Sequence, residues 1–164
     1  VVGHISFADP TCPVLSQILF QVGKEVGATV HKDGIYICIE GPQFSTRAES
    51  RLYRTWGVDV IGMTNLPEAK LAREAEICYA TIAFATDYDC WHETAEDVSI
   101  GEVLRILSQS TKTAKSVIRN AVQKLPEKRE CLCATALKYA LITGKKFIPE
   151  KTKKDLEPII GKYL

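Results

Sequence analysis

Three short apolar runs, separated by helix-start signals, set the tightest limit on what this chain can fold into. Ile35–Ile39, Val58–Met63 and Tyr79–Ala85 are rich in β-branched and aromatic residues and short enough to be buried strands. Between them stand Thr46-Arg47-Ala48-Glu49, with capping-box spacing, and Asn65-Leu66-Pro67-Glu68, an Asn N-cap followed three residues later by Glu. A strand, a helix and a strand at this spacing form a βαβ unit, so Val58–Met63 and Tyr79–Ala85 are expected as parallel neighbours. Ala28–Lys32 and Ile35–Ile39, joined by Asp33-Gly34, read as a hairpin. The alternation points to an α/β chain.

The helices bracket this pattern. Val14, Leu15, Ile18, Leu19, Val22 and Val26 recur at helical spacing, with Gly27 as a fitting stop. Ser99-Ile100-Gly101-Glu102 repeats the capping-box spacing ahead of a long helix that Pro126 ends; a helix of that length either crosses a sheet or reaches a neighbour. Ala134–Ile142 reads as a short last helix, stopped by Gly144. Two segments follow: residues 1–143, a folded domain, and 144–164, a lysine-rich extension that turns helical around Asp155.

The 164 residues carry a net charge of +1, which suits one compact domain and gives no basic excess for nucleic acid. No apolar stretch is long enough to cross a bilayer. The start, Val1-Val2-Gly3-His4, has neither an initiator Met nor the pattern of a signal peptide, so the chain is expected to be part of a longer protein. Of six cysteines, Cys38 and Cys78 sit in apolar surroundings and read as small buried hydrophobes. Cys131-Leu132-Cys133 follows a polar run and reads as accessible, either redox-labile or bonded to other cysteines. Zinc sites usually need a second paired motif, and the sequence has none, so no metal is expected.

Three loops carry polar groups where an α/β sheet binds ligands. After Ile39, Glu40-Gly41-Pro42-Gln43-Phe44 turns the chain and presents an aromatic that either stacks on a planar ligand or joins the core; Glu40 and Arg47 are placed to pair. Gly62-Met63-Thr64-Asn65 lies ahead of a helix N-terminus, where backbone N–H groups favour an anion and the Thr64 hydroxyl can donate to it. Ala85-Thr86-Asp87-Tyr88-Asp89-Cys90-Trp91 ends an apolar run on two carboxylates two residues apart, which share a face if the backbone stays extended. Such carboxylates are costly unless they meet donors, either the N–H groups of an aminopurine or the start of the next helix. A carboxylate accepts from a 6-amino group, whereas an amide suits a 6-oxo group. An acid at purine N7 also assists departure of the base.

In this order, Ile39–Ser50, Gly62–Glu68 and Ala85–Trp91 resemble the 5′-methylthioadenosine phosphorylases, a branch of the trimeric purine nucleoside phosphorylase superfamily. The resemblance covers about Val1 to Ile142. It implies a nucleoside phosphorylase fold, a mixed twisted sheet flanked by helices. It also implies phosphorolysis of 5′-methylthioadenosine to adenine and 5-methylthioribose-1-phosphate, as in purine and methionine salvage, in a cytoplasmic homotrimer or dimer of trimers. Phosphate is then a co-substrate, with no metal or organic cofactor. Phe44 matches the aromatic against base and ribose, Met63 the ribose contact, and Thr64 the phosphate-binding threonine. Thr86 and Asp87 match the purine-site pair, with Asp87 at N7 and Asp89 near the 6-amino group. Ile100 and Val103 match the apolar wall around the methylthio group. His4 matches a histidine lent by a neighbouring subunit. The Cys-x-Cys and the extra cysteines are similar to archaeal members, which implies disulfides among Cys12, Cys78, Cys131 and Cys133, with Cys12–Cys78 first.

The family's Gly-Ser phosphate loop, its Arg-His pair and a further threonine loop have no counterpart here. The chain is therefore expected to supply the base, ribose and 5′ pockets with only part of the phosphate site, and to be inactive without the N-terminal part. A purine nucleoside phosphorylase of broader specificity and a non-catalytic nucleoside-binding chain remain as alternatives.

Overall fold

The computed structural model describes residues 1–92 and 100–164, with the side chains at 100, 102 and 103 also outside the description. The elements in order are α1 (Pro13–Glu25), β1 (Tyr36–Cys38), α2 (Arg47–Thr55), β2 (Val60–Gly62), α3 (Leu66–Glu74), α4 (Ile100–Gln123), α5 (Glu150–Asp155) and α6 (Glu157–Ile160). Three short 3₁₀ turns span Leu132–Thr135, Lys145–Phe147 and Gly161–Tyr163. Two compact units result. Residues 17–65 and 82–125 form one; residues 1–16, 66–81 and 126–164 form the other.

In the first unit β1 and β2 pair in parallel, Tyr36 opposite Val60 and Cys38 opposite Gly62. The helix α2 between them completes a βαβ crossover. Thr46 caps α2 as its spacing predicts: its hydroxyl accepts from the Glu49 N–H while the Glu49 carboxylate accepts from the Thr46 N–H. The Thr46 hydroxyl also donates to the Glu49 carboxylate at 2.7 Å, and that bond, with the one from the Thr46 N–H, holds the Glu49 carboxyl below its ordinary range. At the other end Gly57, at φ +75°, donates to Arg54, and Val58 donates to Tyr53. That closes a Schellman turn of the kind that favours glycine. The core of this unit joins Val22 of α1 to Val117 and Ala121 of α4, flanked by Ile18, Leu19 and Val26. Leu104, Leu107, Ile118 and Val122 of α4 stay exposed.

The predicted hairpin does not form. Asp33 and Gly34 adopt the positive φ of turn residues, 64° and 134°, but the chain leaving that turn finds a different partner. The Asp59 carboxylate accepts from the Ile35 N–H at 2.8 Å, and the Asp59 and Val60 N–H groups donate to the Ile35 carbonyl. Tyr79–Ala85 is not a strand either, so the predicted pairing of Val58–Met63 with it is replaced by pairing with β1. The Tyr79 carbonyl accepts from the Cys12 N–H rather than from a ladder, because an apolar run becomes a strand only where a neighbour offers its backbone.

In the second unit Leu137, Ala140 and Ile160 form a buried cluster, packed by Ile5, Leu141, Leu156, Tyr163 and Leu164. The lysine-rich tail thus contributes to a core. Gly3 and Leu141 form an antiparallel bridge. Glu76, only 5 % exposed, is the polar hub. Its carboxylate accepts from the Leu137 N–H at 2.8 Å and the Tyr163 hydroxyl at 2.6 Å, and it pairs with Lys162. That carboxylate takes the Leu137 N–H that a helix would use, and the predicted helix over Ala134–Ile142 shrinks to the 3₁₀ turn Leu132–Thr135. Among the described residues, no helix is long and apolar enough to cross a membrane.

Candidate active site

Both βα loops lie at the carboxyl ends of a parallel pair, where open α/β sheets place their ligands. The loop after β1 turns at Gly41, φ +71°. A Cβ at that position would stand 2.5 Å from the Met63 Sδ. Gly41 therefore supplies both the left-handed backbone and the close approach that seats the first loop on Met63 of the second. Met63 is half-buried, Thr64 is exposed, and Phe44, at 85 % exposure, stands out from the first loop. Phe44 is therefore not a core residue among the described residues of this chain.

The acidic loop does not stay extended, and the two carboxylates do not repeat along one face. Asp89 takes a left-handed conformation, φ 59°, and its N–H donates back to the Asp87 Oδ1 at 2.9 Å. The Thr86 hydroxyl donates to the Asp87 Oδ2 at 2.8 Å. Asp87 is thus an exposed carboxyl fixed from both sides by its own loop. Asp89 is half-buried and accepts from the Ser50 hydroxyl at 2.6 Å. Neither begins α4, which starts at Ile100, so the helix-cap alternative does not describe them.

One face of α2 holds this loop. Arg47 donates through Nη1 to the Cys90 carbonyl at 2.6 Å, in place of the expected pairing with Glu40. Ser50, 2 % exposed, holds Asp89, and the Arg54 guanidinium lies 3.8 Å from the Trp91 ring centroid. The Cys90 thiol also points to the Ser45 carbonyl at 3.6 Å. Sequence reasoning overlooked Ser50 and Arg54. The signal was present: Arg47, Ser50 and Arg54 stand three and four residues apart, which makes one helical stripe of donors facing a loop rich in acceptors.

The side chains of Ile100 and Val103 lie outside the described residues; their backbone forms the first turn of α4. His4 belongs to the other unit, exposed, with its N–H donating to the Ala140 carbonyl at 2.9 Å.

The cysteines require a correction. Cys12 and Cys78 do not form a disulfide, and all six cysteines are free. The sulfur of Cys78 lies 3.3 Å from that of Cys131, and Cys12, Cys78, Cys131 and Cys133 place their sulfurs within 4.8 Å of one another, so no two of them are paired off. The Cys-x-Cys is not an accessible pair. Leu132 is 83 % exposed, whereas Cys133 is 4 % exposed, because the 3₁₀ turn directs Leu132 outward and its neighbours inward. Burial pushes the Cys78 thiol up to about 11 and the Cys133 thiol up to about 12, helped by the neighbouring sulfurs. Burial also raises Cys131, but hydrogen bonds from the Cys78 thiol and the Cys133 backbone outweigh it and bring this thiol down to about 7.

Residues 2–123 match the model of the phosphorylase superfamily. The chain belongs to the phosphorylase superfamily. Over all 164 residues it is 61 % identical to the S-methyl-5′-thioadenosine phosphorylase of Geobacter sulfurreducens, of which it covers 57 %. It is 49 % identical over 163 residues to the Koribacter versatilis enzyme of the same name, covering 99 % of this chain and 56 % of that one. Among solved structures, a methylthioadenosine phosphorylase from an Antarctic soil metagenomic library superposes with a TM-score of 0.89 at 44 % identity, over 96 % of this chain and 56 % of that one. The Schistosoma mansoni methylthioadenosine phosphorylase in complex with adenine gives 0.70 at 32 % identity, over 84 % and 54 %. The chain thus spans a little over half the length of these relatives. The match to the Geobacter protein runs through the lysine-rich tail, beyond the superfamily match. As a phosphorylase-superfamily chain it offers an exposed carboxyl, an exposed aromatic and an exposed hydroxyl on three loops, two of them at one end of a parallel pair.

Proposed function

We propose that the whole protein cleaves 5′-methylthioadenosine with phosphate, releasing adenine and 5-methylthioribose-1-phosphate, and that this chain supplies the base and sugar side of the site. The observation that carries the reading is Asp87: an exposed carboxyl held by the Thr86 hydroxyl and the Asp89 N–H, in a loop that α2 fixes through Ser50 and Arg47. A carboxyl placed this firmly can share a proton with purine N7 as the N-glycosidic bond breaks, which is worth ~10²–10⁴-fold in rate. Asp89, with one oxygen on Ser50, keeps its other oxygen for the 6-amino group. Phe44 packs on base and ribose, Met63 lies against the ribose, and the Thr64 hydroxyl donates to phosphate. Ile100 and Val103 line the methylthio pocket. The chemistry is substitution at an oxocarbenium-like ribose by phosphate, and it calls for no metal or organic cofactor.

A homotrimer or dimer of trimers, with His4 entering a neighbour's pocket, fits two features. His4 is exposed, and α4 keeps Leu104, Leu107, Ile118 and Val122 exposed, an apolar row that further protein would cover. The test is Asp87→Asn in the full-length protein. The amide can donate to a 6-oxopurine but cannot supply the acid. The kcat/KM for methylthioadenosine should fall by ~10²-fold or more. The ratio of 6-oxo to 6-amino substrate should rise. An unchanged ratio would remove Asp87 from the base site.

A further inference from the structure

The phosphorolysis reading makes no use of the four-cysteine cluster. Its members come from all three chain segments of their unit: Cys12 from residues 1–16, Cys78 from 66–81, and Cys131 with Cys133 from 126–164. We propose that Cys12, Cys78, Cys131 and Cys133 bind one zinc ion through four thiolates and so staple these three segments together.

The geometry fits that ion. Zinc bonds thiolate sulfur at ~2.3 Å in a tetrahedron, which sets sulfur–sulfur edges of ~3.8 Å. The closest pair here is 3.3 Å apart, and all four sulfurs lie within 4.8 Å, so the required edge falls inside the observed range. Two further features place the ligands. The Cys133 N–H bonds the Cys131 sulfur, an outer contact of the type that orients metal ligands. Cys12 directly precedes α1 and the Ser16 N–H bonds its carbonyl, which puts the residue at the positive end of a thirteen-residue helix. Cys12 and Cys133 are buried, at 1 % and 4 % exposure. An all-sulfur donor set selects a soft or borderline metal over calcium or magnesium. Four protein ligands leave no open position, so the site is structural and supplies no reacting water. The missing second paired motif is no obstacle, because two lone cysteines distant in sequence complete the set in space. Two disulfides would use the same four atoms, but each would draw one pair to ~2.05 Å and split the cluster.

The test is the metal content of the full-length protein, purified reduced and without chelator. About one zinc per chain is expected by elemental mass spectrometry. Replacement by cobalt(II) should give the near-ultraviolet sulfur-to-metal charge-transfer band and the visible bands of a tetrahedral thiolate site. Cys131→Ser/Cys133→Ser should lose the zinc, and Cys38→Ser, outside the cluster, should keep it. If the double variant does not fold, the wild-type protein still decides. A strong chelator should then lower its Tm, and zinc should restore it. The proposal is overturned if the reduced wild-type protein holds no zinc and gives no cobalt spectrum, or if its native mass shows two disulfides. None of these readouts depends on phosphorolysis, so the zinc site and the enzymatic reading fail separately.

Discussion

Replacing Ser50 by alanine isolates the contact on which the acidic loop rests. The Ser50 hydroxyl donates to Asp89 at 2.6 Å from a residue that is 2 % exposed. A hydrogen bond to a carboxylate nets ~1.5–3 kcal/mol, and the half-buried position of Asp89 admits some replacement by water, so the lower end applies. Asp89 also sits at φ 59°, where a side chain costs ~1 kcal/mol or more relative to an ordinary conformation, and the Ser50 bond opposes that cost. A loss of ~1.5 kcal/mol shifts the ratio of closed to open loop by about tenfold. Amides of residues 86–92 should therefore exchange about tenfold faster in Ser50→Ala, read by hydrogen-exchange mass spectrometry. Adenine affinity should fall by less than tenfold, because Arg47 still holds the Cys90 carbonyl. Asp89→Asn retains an acceptor and tolerates the left-handed backbone but loses the charge, so its exchange should fall between that of the parent and that of Ser50→Ala. Unchanged exchange at 86–92 in Ser50→Ala would refute the assignment of Ser50 as the anchor of this loop.

Glu76→Gln should destabilise the protein by ~1–3 kcal/mol, because it removes the charge that the Leu137 N–H and the Tyr163 hydroxyl share; denaturant melts measure it. Burial raises the Glu76 carboxyl, but the Lys162, Tyr163 and Leu137 bonds prevail and hold it below its ordinary 4.5. Its contribution is therefore full above about pH 4.5 and lost as the pH falls through the lower folded value, so an acid melt should separate parent from variant above that point and merge them below it. Gly41→Ala should cost ~1–3 kcal/mol in Tm-derived stability, since φ +71° disfavours a Cβ and that Cβ would displace the Met63 sulfur. If Met63 contacts ribose, the same variant raises KM for the nucleoside more than it lowers kcat.

The sequence disclosed what is local and concealed what depends on a partner. Thr46 and Glu49 announced the start of α2, and Gly27, at φ +80°, ended α1 as its position required. Asp33 and Gly34 also behaved as turn residues, but turn chemistry does not say which strand the chain pairs with next, and β1 found β2 across a helix. Tyr79–Ala85 had strand composition without a ladder. The three loops quoted for the family resemblance were legible because each is a contiguous run. Ser50 and the cysteine cluster were not, since each works through a residue tens of positions away.

The left-handed residues show the same division from another side. Asp33, Asn65, Glu76 and Asp89 all hold positive φ, where glycine is the locally cheaper choice. Glu76 occupies the turn after α3 that Gly27 and Gly57 occupy after α1 and α2: its N–H donates to Arg73, and Ile77 donates to Ala72. A side chain retained there must return more than the backbone loses. Glu76 does so through three partners in a buried hub, and Asp89 does so through Ser50. Asn65 stands beside Thr64 in the loop proposed to hold phosphate, and Asn65→Gly tests whether its side chain takes part in that site. If phosphate affinity falls while Tm holds or rises, the Asn65 side chain is part of the site; if phosphate affinity stays intact, it is not.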